Sequence, residues 1–266
     1  MNSNLEMLKE PVSILMPVCN EADVLRNVVN EWIEDVMRYL PSGSEMVFDE
    51  AGSTDGTKEI LSDLAIQHPF IRVFCHDKKD GFASAARRLY AEARCPWVFF
   101  TDSDGQYVAS DFWKVAKYAD KYEIIHGAKL GRKDALLRRI TSMLFNKFSC
   151  FLFQVYYLDL NSAFRLMKAD IVKKMLPKLN VMPTLLNAEL LLRCTLENCE
   201  IKQVYIGHRD RLHGTSRGLP SSRYCLEGLR ACRGLLKIKE SYRIASPSAW
   251  NKRNTSSPPA SERTPL

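Results

Sequence analysis

Two carboxylates one residue apart, Asp102 and Asp104, follow the apolar run Pro96-Trp97-Val98-Phe99-Phe100-Thr101. In a regular strand residues i and i+2 point to the same side, and a loop at the strand end lets both side chains converge on one cation. Hard oxygen donors suit Mg²⁺ or Mn²⁺, which leave places for water and for phosphate oxygens. The chemistry this offers is stabilisation of a diphosphate that departs as an anion. Asp-Ser-Asp-Gly is equally an ordinary turn sequence, so the placement after a strand carries the metal reading.

Other polar clusters fall at comparable places. Asn20-Glu21 follows the run Val12–Val18, Asp49-Glu50 follows Met46-Val47-Phe48, and Asp77 follows Ile71–Cys75. Asp49 and Glu50 could accept hydrogen bonds from a base or ribose, as acids at that position do in dinucleotide folds. The alternative makes them helix N-terminal acids, with Ser53 as the cap. Lys129, Arg132, Arg138 and Arg139 come from one segment, and Arg209, Arg211 and Arg217 from another. Guanidinium forks match phosphate geometry, although each cation alone also reads as solvated surface.

The elements that must position these residues alternate. Val12–Val18 is a β-branched strand, and Val24, Val28, Ile33 and Val36 give Ala22 to Leu40 a helical stripe ended by Pro41-Ser42-Gly43-Ser44. Met46–Phe48, Ile71–Cys75 and Pro96–Thr101 read as further strands, with helices from Lys58 to Ile66 and Phe82 to Arg94 between them. Beyond these, strands are expected at 122–127, 161–167 and 201–206, and helices at 138–157, 169–179 and 187–197. Such alternation of apolar strands and helices predicts an α/β fold with a mainly parallel sheet and helices on both faces. Ligands then bind beyond the carboxyl ends of the strands, where the polar clusters lie.

Composition bounds the alternatives. With 46% apolar and 26% charged residues in 266, the chain is of the globular class. The expected organisation is a single domain over 1–242 and a disordered Ser- and Pro-rich tail over 243–266. The net charge of +7 suits an anionic partner without choosing one. No RNP or KH pattern accompanies it, so nucleic acid is not expected. Eight cysteines lack CxxC or zinc spacing and read as reduced thiols of a cytoplasmic protein. The polar first eleven residues do not read as a secretory signal, and no run reaches the ~20 apolar residues of a membrane span. A Gly-x-Gly-x-x-Gly after the first strand, a P-loop and a Gly-x-Ser-x-Gly elbow are all missing, which disfavours NAD enzymes, P-loop NTPases and α/β-hydrolases. A nucleotidyltransferase would want a basic, Gly-rich loop where Cys19-Asn20-Glu21 stands, and a non-catalytic nucleotide-sugar-binding protein would fit the same pattern.

Taken together, the motifs resemble family 2 glycosyltransferases, and within them the dolichyl-phosphate or polyprenyl-phosphate hexosyltransferases. The resemblance spans residues 11 to 218. Met16-Pro17-Val18-Cys19-Asn20-Glu21 is similar to the P-x-x-N-E opening, Asp49 to Thr57 to the D-D-G-S-x-D-G-T loop, and Asp102 to Gln106 to D-x-D-x-Q. Gly127-Ala128-Lys129 with Arg132, Arg138 to Ser142, Asp159 to Leu166, Glu189-Leu190-Leu191 and Arg211 to Ser216 resemble the later G-x-R, R-x-x-x-S, D-x-x-x-x-F-R-L, E-L-L and R-x-x-G-x-S patterns.

This resemblance implies a Rossmann-like nucleotide-diphospho-sugar transferase fold (GT-A), an inverting outcome and dependence on Mg²⁺ or Mn²⁺. Asp102, Asp104 and Gln106 would hold the metal. Pro17, Asn20, Glu21, Asp49, Glu50, Asp55, Asp77, Asp102 and Ser103 would bind the nucleotide-sugar donor, with Glu50 on the nucleoside. Lys129, Arg132, Arg138, Arg211 and Ser216 would bind phosphates, Arg138 and Arg211 doing so catalytically together with Asp104. The chain departs from the pattern at Ala51, which replaces the second acid of the nucleoside loop, and at Lys129, which replaces an Arg fork. Tyr107-Val108-Ala109-Ser110 also stands where lipid-phosphate members often continue with an acid and two prolines.

The acceptor decides whether a base is needed. A polyprenyl phosphate is already ionised, whereas a saccharide hydroxyl must lose its proton to a carboxylate, for which Glu189 is the first candidate. Glu189 reads otherwise as an exposed acid at a helix start. In the 138–160 stretch, Met143, Leu144, Phe148, Phe151, Leu152 and Val155 lie near one face behind basic residues. A basic amphipathic helix of that kind either packs in the core or lies on the cytoplasmic face of a membrane, delivering the protein to a lipid-phosphate acceptor.

Overall fold

The computed structural model describes residues 8–129, 136–210 and 224–245. Strands β1 (Val12–Val18), β2 (Glu45–Ala51), β3 (Ile71–His76), β4 (Trp97–Phe100), β5 (Ile124–Lys129), β6 (Arg165–Lys168) and β7 (Ile201–Ile206) form one sheet in the order β3-β2-β1-β4-β6-β5-β7. Pairs β1–β2, β1–β4, β2–β3 and β5–β7 are parallel, while β6 runs antiparallel to both β4 and β5. The mainly parallel α/β sheet expected from the alternation is thus observed.

Every residue of β2 and β4 is buried, as helices covering both faces of a parallel sheet require. Helix α1 (Ala22–Asp35) buries Val24, Leu25, Val28, Val29, Trp32 and Ile33, a stripe at helical spacing. Its Trp32 ring stands 5.3 Å from Phe99 of β4, and Phe99 meets Phe164 edge-on at 4.7 Å. Helices α2 (Thr57–Gln67), α3 (Phe82–Glu92) and α4 (Phe112–Ala116) complete the first half. Helices α5 (Leu136–Phe153), α6 (Ala169–Met175), α7 (Leu186–Leu196) and α8 (Tyr224–Ala245) make up the second.

The topology positions the site. From β1 the chain proceeds outward to β2 and β3, and then returns to place β4 on the other side of β1. This reversal opens a crevice beyond the carboxyl ends of β1 and β4, the place where open α/β sheets bind ligands.

Several element bounds differ from expectation, as α1 ending at Asp35 and α6 at Met175 show, and four differences bear on the site. Strand β2 extends to Ala51, so Asp49 and Glu50 lie inside the strand rather than after it. Helix α5 stops at Phe153, where Gln154 takes φ 54° and the N–H of Val155 bonds back to the carbonyl of Cys150. The strand expected over 161–167 shrinks to Arg165–Lys168, because residues 160–163 build a turn around the Arg165 guanidinium. Helix α8 has no counterpart among the expected elements. Of its described residues only Ala231, Gly234, Leu235 and Ile238 are buried, too few to give a strong apolar period. It runs through Ala245, and 246–266, most of the expected tail, lies outside the described residues.

Candidate active site

A cleft of about 580 Å³ opens at the crevice between β1 and β4. Pro17, Val18, Cys19 and Glu21 from the end of β1 form one side, and Asp102, Ser103, Asp104 and Gln106 from the end of β4 form the floor. Ala51, Lys79, Gly81 and Phe82 wall the β2–β3 end, while Thr141, Ser142 and Phe145 of α5 and Glu227, Gly228 and Ala231 of α8 wall the opposite mouth.

The loop after β2 is held by residues from the opening motif. Asn20, at φ 54°, donates its N–H to Ser53 Oγ (2.7 Å) and accepts the N–H of Thr54 on Oδ1 (2.7 Å). Asp55 accepts from the N–H of Ala22 (3.2 Å) and, on its other oxygen, from the N–H and hydroxyl of Thr57 (3.2 and 2.6 Å). Burial raises the Asp55 pKa, but the Thr57 and Ala22 hydrogen bonds outweigh it and hold the carboxyl below its usual range. Asn20 and Asp55 therefore join two helix starts and lie outside the cleft lining, where a donor-binding role was expected. Gly52, at φ 65°, is required here, since an added Cβ would stand 3.0 Å from the Lys79 nitrogen. That close approach brings Lys79 to the cleft, a residue the sequence reading missed because no motif marks it.

The acids of β2 are also held by buried partners. Asp49 is fully buried and meets Arg88 through two 2.8 Å hydrogen bonds, with His76 Nε2 at 3.2 Å. Arg88 also pairs with Asp80. Glu50, 1% exposed, accepts the Ser53 N–H at 2.5 Å. Neither acid lines the cleft, because extending the strand turns both into the interior, and the residue that reaches the cleft is Ala51. Asp77 is exposed and also stands outside the lining.

The floor keeps the expected grouping. Asp102, Ser103, Asp104 and Gln106 lie together in the cleft, with Asp102 and Asp104 partly exposed. Ser103 Oγ donates to the Pro17 carbonyl (3.0 Å) and ties the β4 end to β1. Asp104 Oδ1 accepts the Gln106 N–H (3.1 Å) across a turn in which Gly105 takes φ 73°. Gln106 Nε2 donates to the Arg209 carbonyl (3.4 Å). Among the described residues no group of three or more His, Cys, Asp or Glu could hold a metal alone. Two solvent-reachable carboxylates and an amide fit a hard divalent cation whose remaining places are filled by phosphate oxygens and water.

The back wall is built around a buried arginine. Arg165, wholly buried, donates to the carbonyls of Asn187 (2.7 Å), Leu160 (3.2 Å) and Ser162 (2.7 Å). It thereby fixes the start of α7 against the 159–163 turn. His126 Nε2 lies 2.6 Å from the Asp159 carbonyl and so carries the proton, and burial, with Arg165 nearby, keeps the ring neutral. Asp159, 6% exposed, and Asn187, 2% exposed, both line the cleft. Asn187 Oδ1 has no hydrogen-bond partner among the described residues. Lys129 reaches the same wall with its ammonium over the Tyr107 ring at 5.1 Å.

Glu189 is not the exposed acid that its position indicated. It is 1% exposed and lies outside the lining. Its oxygens accept the N–H groups of Asn180 (3.3 Å), Val181 (3.0 Å) and Met182 (2.7 Å), together with Arg193 Nε (2.9 Å) and Nη2 (2.8 Å). Helix α7 turns this carboxylate away from the cleft to anchor the loop before it. Of the expected phosphate-binding residues, Arg132, Arg211 and Ser216 lie outside the described residues, and Arg138 is described only as part of the α5 backbone.

The fold is that of nucleotide-diphospho-sugar transferases (GT-A). Glucosyl-3-phosphoglycerate synthase from Mycobacterium tuberculosis superposes with a TM-score of 0.62 at 17% identity, over 86% of this chain and 80% of that one. The mannosyltransferase PcManGT from Pyrobaculum calidifontis superposes with a TM-score of 0.60 at 16% identity, over 93% and 74%. Residues 13–174 match glycosyl transferase family 2, and the chain belongs to that family of transferases. Among curated relatives from Haloferax volcanii, glycosyltransferase AglJ is 26% identical over 162 residues, 59% of this chain and 50% of AglJ. Glycosyltransferase AglD is 32% identical over 94 residues, 35% of this chain and 15% of AglD. The chain thus spans half or less of the length of these two relatives.

Proposed function

We propose that the chain transfers a hexose, with inversion, from a nucleotide sugar such as GDP-mannose or a UDP-sugar to a polyprenyl or dolichyl phosphate. The carrying observation is the pair Asp102 and Asp104 on the floor of a cleft at the sheet's switch point, with Lys79 and Lys129 on its walls. Mn²⁺ or Mg²⁺ held by Asp102, Asp104 and Gln106 would supply positive charge to the departing diphosphate. The lysines add to that charge, and the β1 end, through Pro17 and Glu21, lies where the nucleoside would sit. PcManGT was solved with GDP-Man and Mn²⁺, and the synthase with Mn²⁺, UDP and phosphoglyceric acid, an acceptor that itself carries phosphate.

A phosphate acceptor also fits the carboxylates. Its oxygen is ionised at neutral pH and requires no base, and Glu189 is fully engaged elsewhere. Ser142, the last residue of the R-x-x-x-S segment, stands on the α5 wall where such a phosphate would enter. A hydroxyl acceptor would call on Asp159, the buried carboxylate on the back wall.

The test incubates the protein and Mn²⁺ with GDP-mannose, UDP-glucose or UDP-N-acetylglucosamine, each with and without a detergent-dispersed polyprenyl phosphate. Released nucleoside diphosphate and labelled lipid are measured. The reading expects release that depends on the lipid, with one donor preferred. Equal release without lipid removes the lipid acceptor and turns attention to Asp159, and no release with any donor counts against transfer itself.

A further inference from the structure

The exposed apolar surface is concentrated in one place. Nine of the fifteen large apolar side chains exposed among the described residues lie on α5 and α8. On α5, Ile140, Met143 and Phe151, the last 82% exposed, share one face at spacings of three and eight, opposite the buried Ser149 and Phe153. On α8, Leu229 and Leu236 share a face with Arg233 and Lys237, opposite the buried Leu235 and Ile238. The charge follows the same helices. Helix α5 carries three basic residues and no acid, and α8 carries five basic residues and two acids. Eight against two gives a net +6, out of +7 for the whole chain.

These helices pack against each other, and both wall the mouth of the cleft. Among the described residues no helix is long and apolar enough to cross a membrane. A face of exposed Leu, Ile, Met and Phe interleaved with cations fits the boundary of an anionic bilayer, with the apolar groups among the acyl chains and the cations at the headgroups.

We infer that the outer faces of α5 and α8 form one docking surface for an anionic lipid bilayer, which sets the cleft mouth at the headgroup level. The inference deepens the lipid-phosphate reading and rests on it for its purpose, since an acceptor whose phosphate projects from the bilayer then meets Thr141 and Ser142 without leaving the membrane. The surface adds α8 to the amphipathic segment visible in the sequence. It also gives the chain's excess charge a location.

The experiment uses flotation of the full chain with phosphatidylcholine vesicles, with and without phosphatidylserine, and with no polyprenyl phosphate present. Leu229→Glu with Leu236→Glu and, separately, Met143→Glu with Phe151→Glu interrupt each face, and thermal melting checks that the variants remain folded. The wild type should float with phosphatidylserine vesicles and not with phosphatidylcholine alone, and each double variant should bind at least about tenfold more weakly. Failure of the wild type to float, or equal flotation of the folded variants, overturns the inference. A wild-type dimer that the same substitutions dissociate, without flotation, assigns the face to a second copy and overturns it too. Flotation without transfer to a dispersed polyprenyl phosphate keeps the surface and removes the acceptor, whereas transfer without flotation does the reverse.

Discussion

Replacing Arg88 with Leu tests the claim that Asp49 anchors the fold rather than binding the nucleoside. Both Asp49 oxygens accept from Arg88 at 2.8 Å, the Asp49 side chain is fully buried, and Arg88 is 29% exposed. Arg88→Leu keeps most of the aliphatic stem but leaves a buried carboxylate that, among the described side chains, faces only His76 Nε2 at 3.2 Å. Breaking a buried pair costs ~3–5 kcal/mol, and the partial exposure of Arg88 places this case near ~3 kcal/mol. For a chain of this size that corresponds to a fall in Tm of ~6–12 °C. Adding Asp49→Asn removes the orphaned charge and should restore stability to within ~1 kcal/mol of the wild type. The assay is urea unfolding of both variants, with donor binding by calorimetry where they are folded. A loss below ~1 kcal/mol in the single variant, or no recovery in the double, refutes the pairing argument. A folded double variant with normal stability and lost donor affinity would return Asp49 to the nucleoside site.

Asp104→Ala should abolish Mn²⁺-dependent donor binding while changing stability by less than ~1 kcal/mol, because a partly exposed strand-end carboxylate contributes little packing; unchanged donor affinity would remove the metal assignment. Glu189→Ala should destabilise by ~3–5 kcal/mol, since it orphans buried Arg193 and three N–H groups, and its activity should recover on cooling to where it refolds; a stable but inactive variant would restore Glu189 as a base. The Lys178 hydrogen bond, with Lys174 adding to it, holds the Glu197 pKa at about 2, below its usual 4.5. Because the folded value is depressed, the stabilisation is complete above pH 4.5 and lost as pH falls toward about 2, so Glu197→Gln should flatten the stability profile within that window. An unchanged acid limb in urea titrations would show that this pair does not contribute.

The strands, most helices and the D-x-D floor are legible in the sequence because each is a local pattern. A β-branched run, an i, i+4 stripe or two carboxylates after an aromatic strand need no knowledge of distant residues. Even so, β6 starts later than its apolar run because Arg165 claims the preceding carbonyls, and α8 escapes notice because its buried side is narrow. Acidic residues were the least legible. Asp49, Glu50 and Glu189 all stand in plausible motif positions, yet the end of one strand and the face of one helix place all three outside the cleft lining.

The sequence by itself determined the family-like succession of motifs, the α/β class and the pairing of Asp102 with Asp104, since these depend on residue type and short spacing. Only the tertiary structure decided which acids face the cleft, that Arg88 and Arg193 neutralise Asp49 and Glu189, and that Lys79, Asp159 and Asn187 join the site from distant segments. The physical reason is that burial and partnership belong to the packed chain: a carboxylate's role follows from which cation or N–H folding brings within 3 Å of it, and no local spacing encodes that.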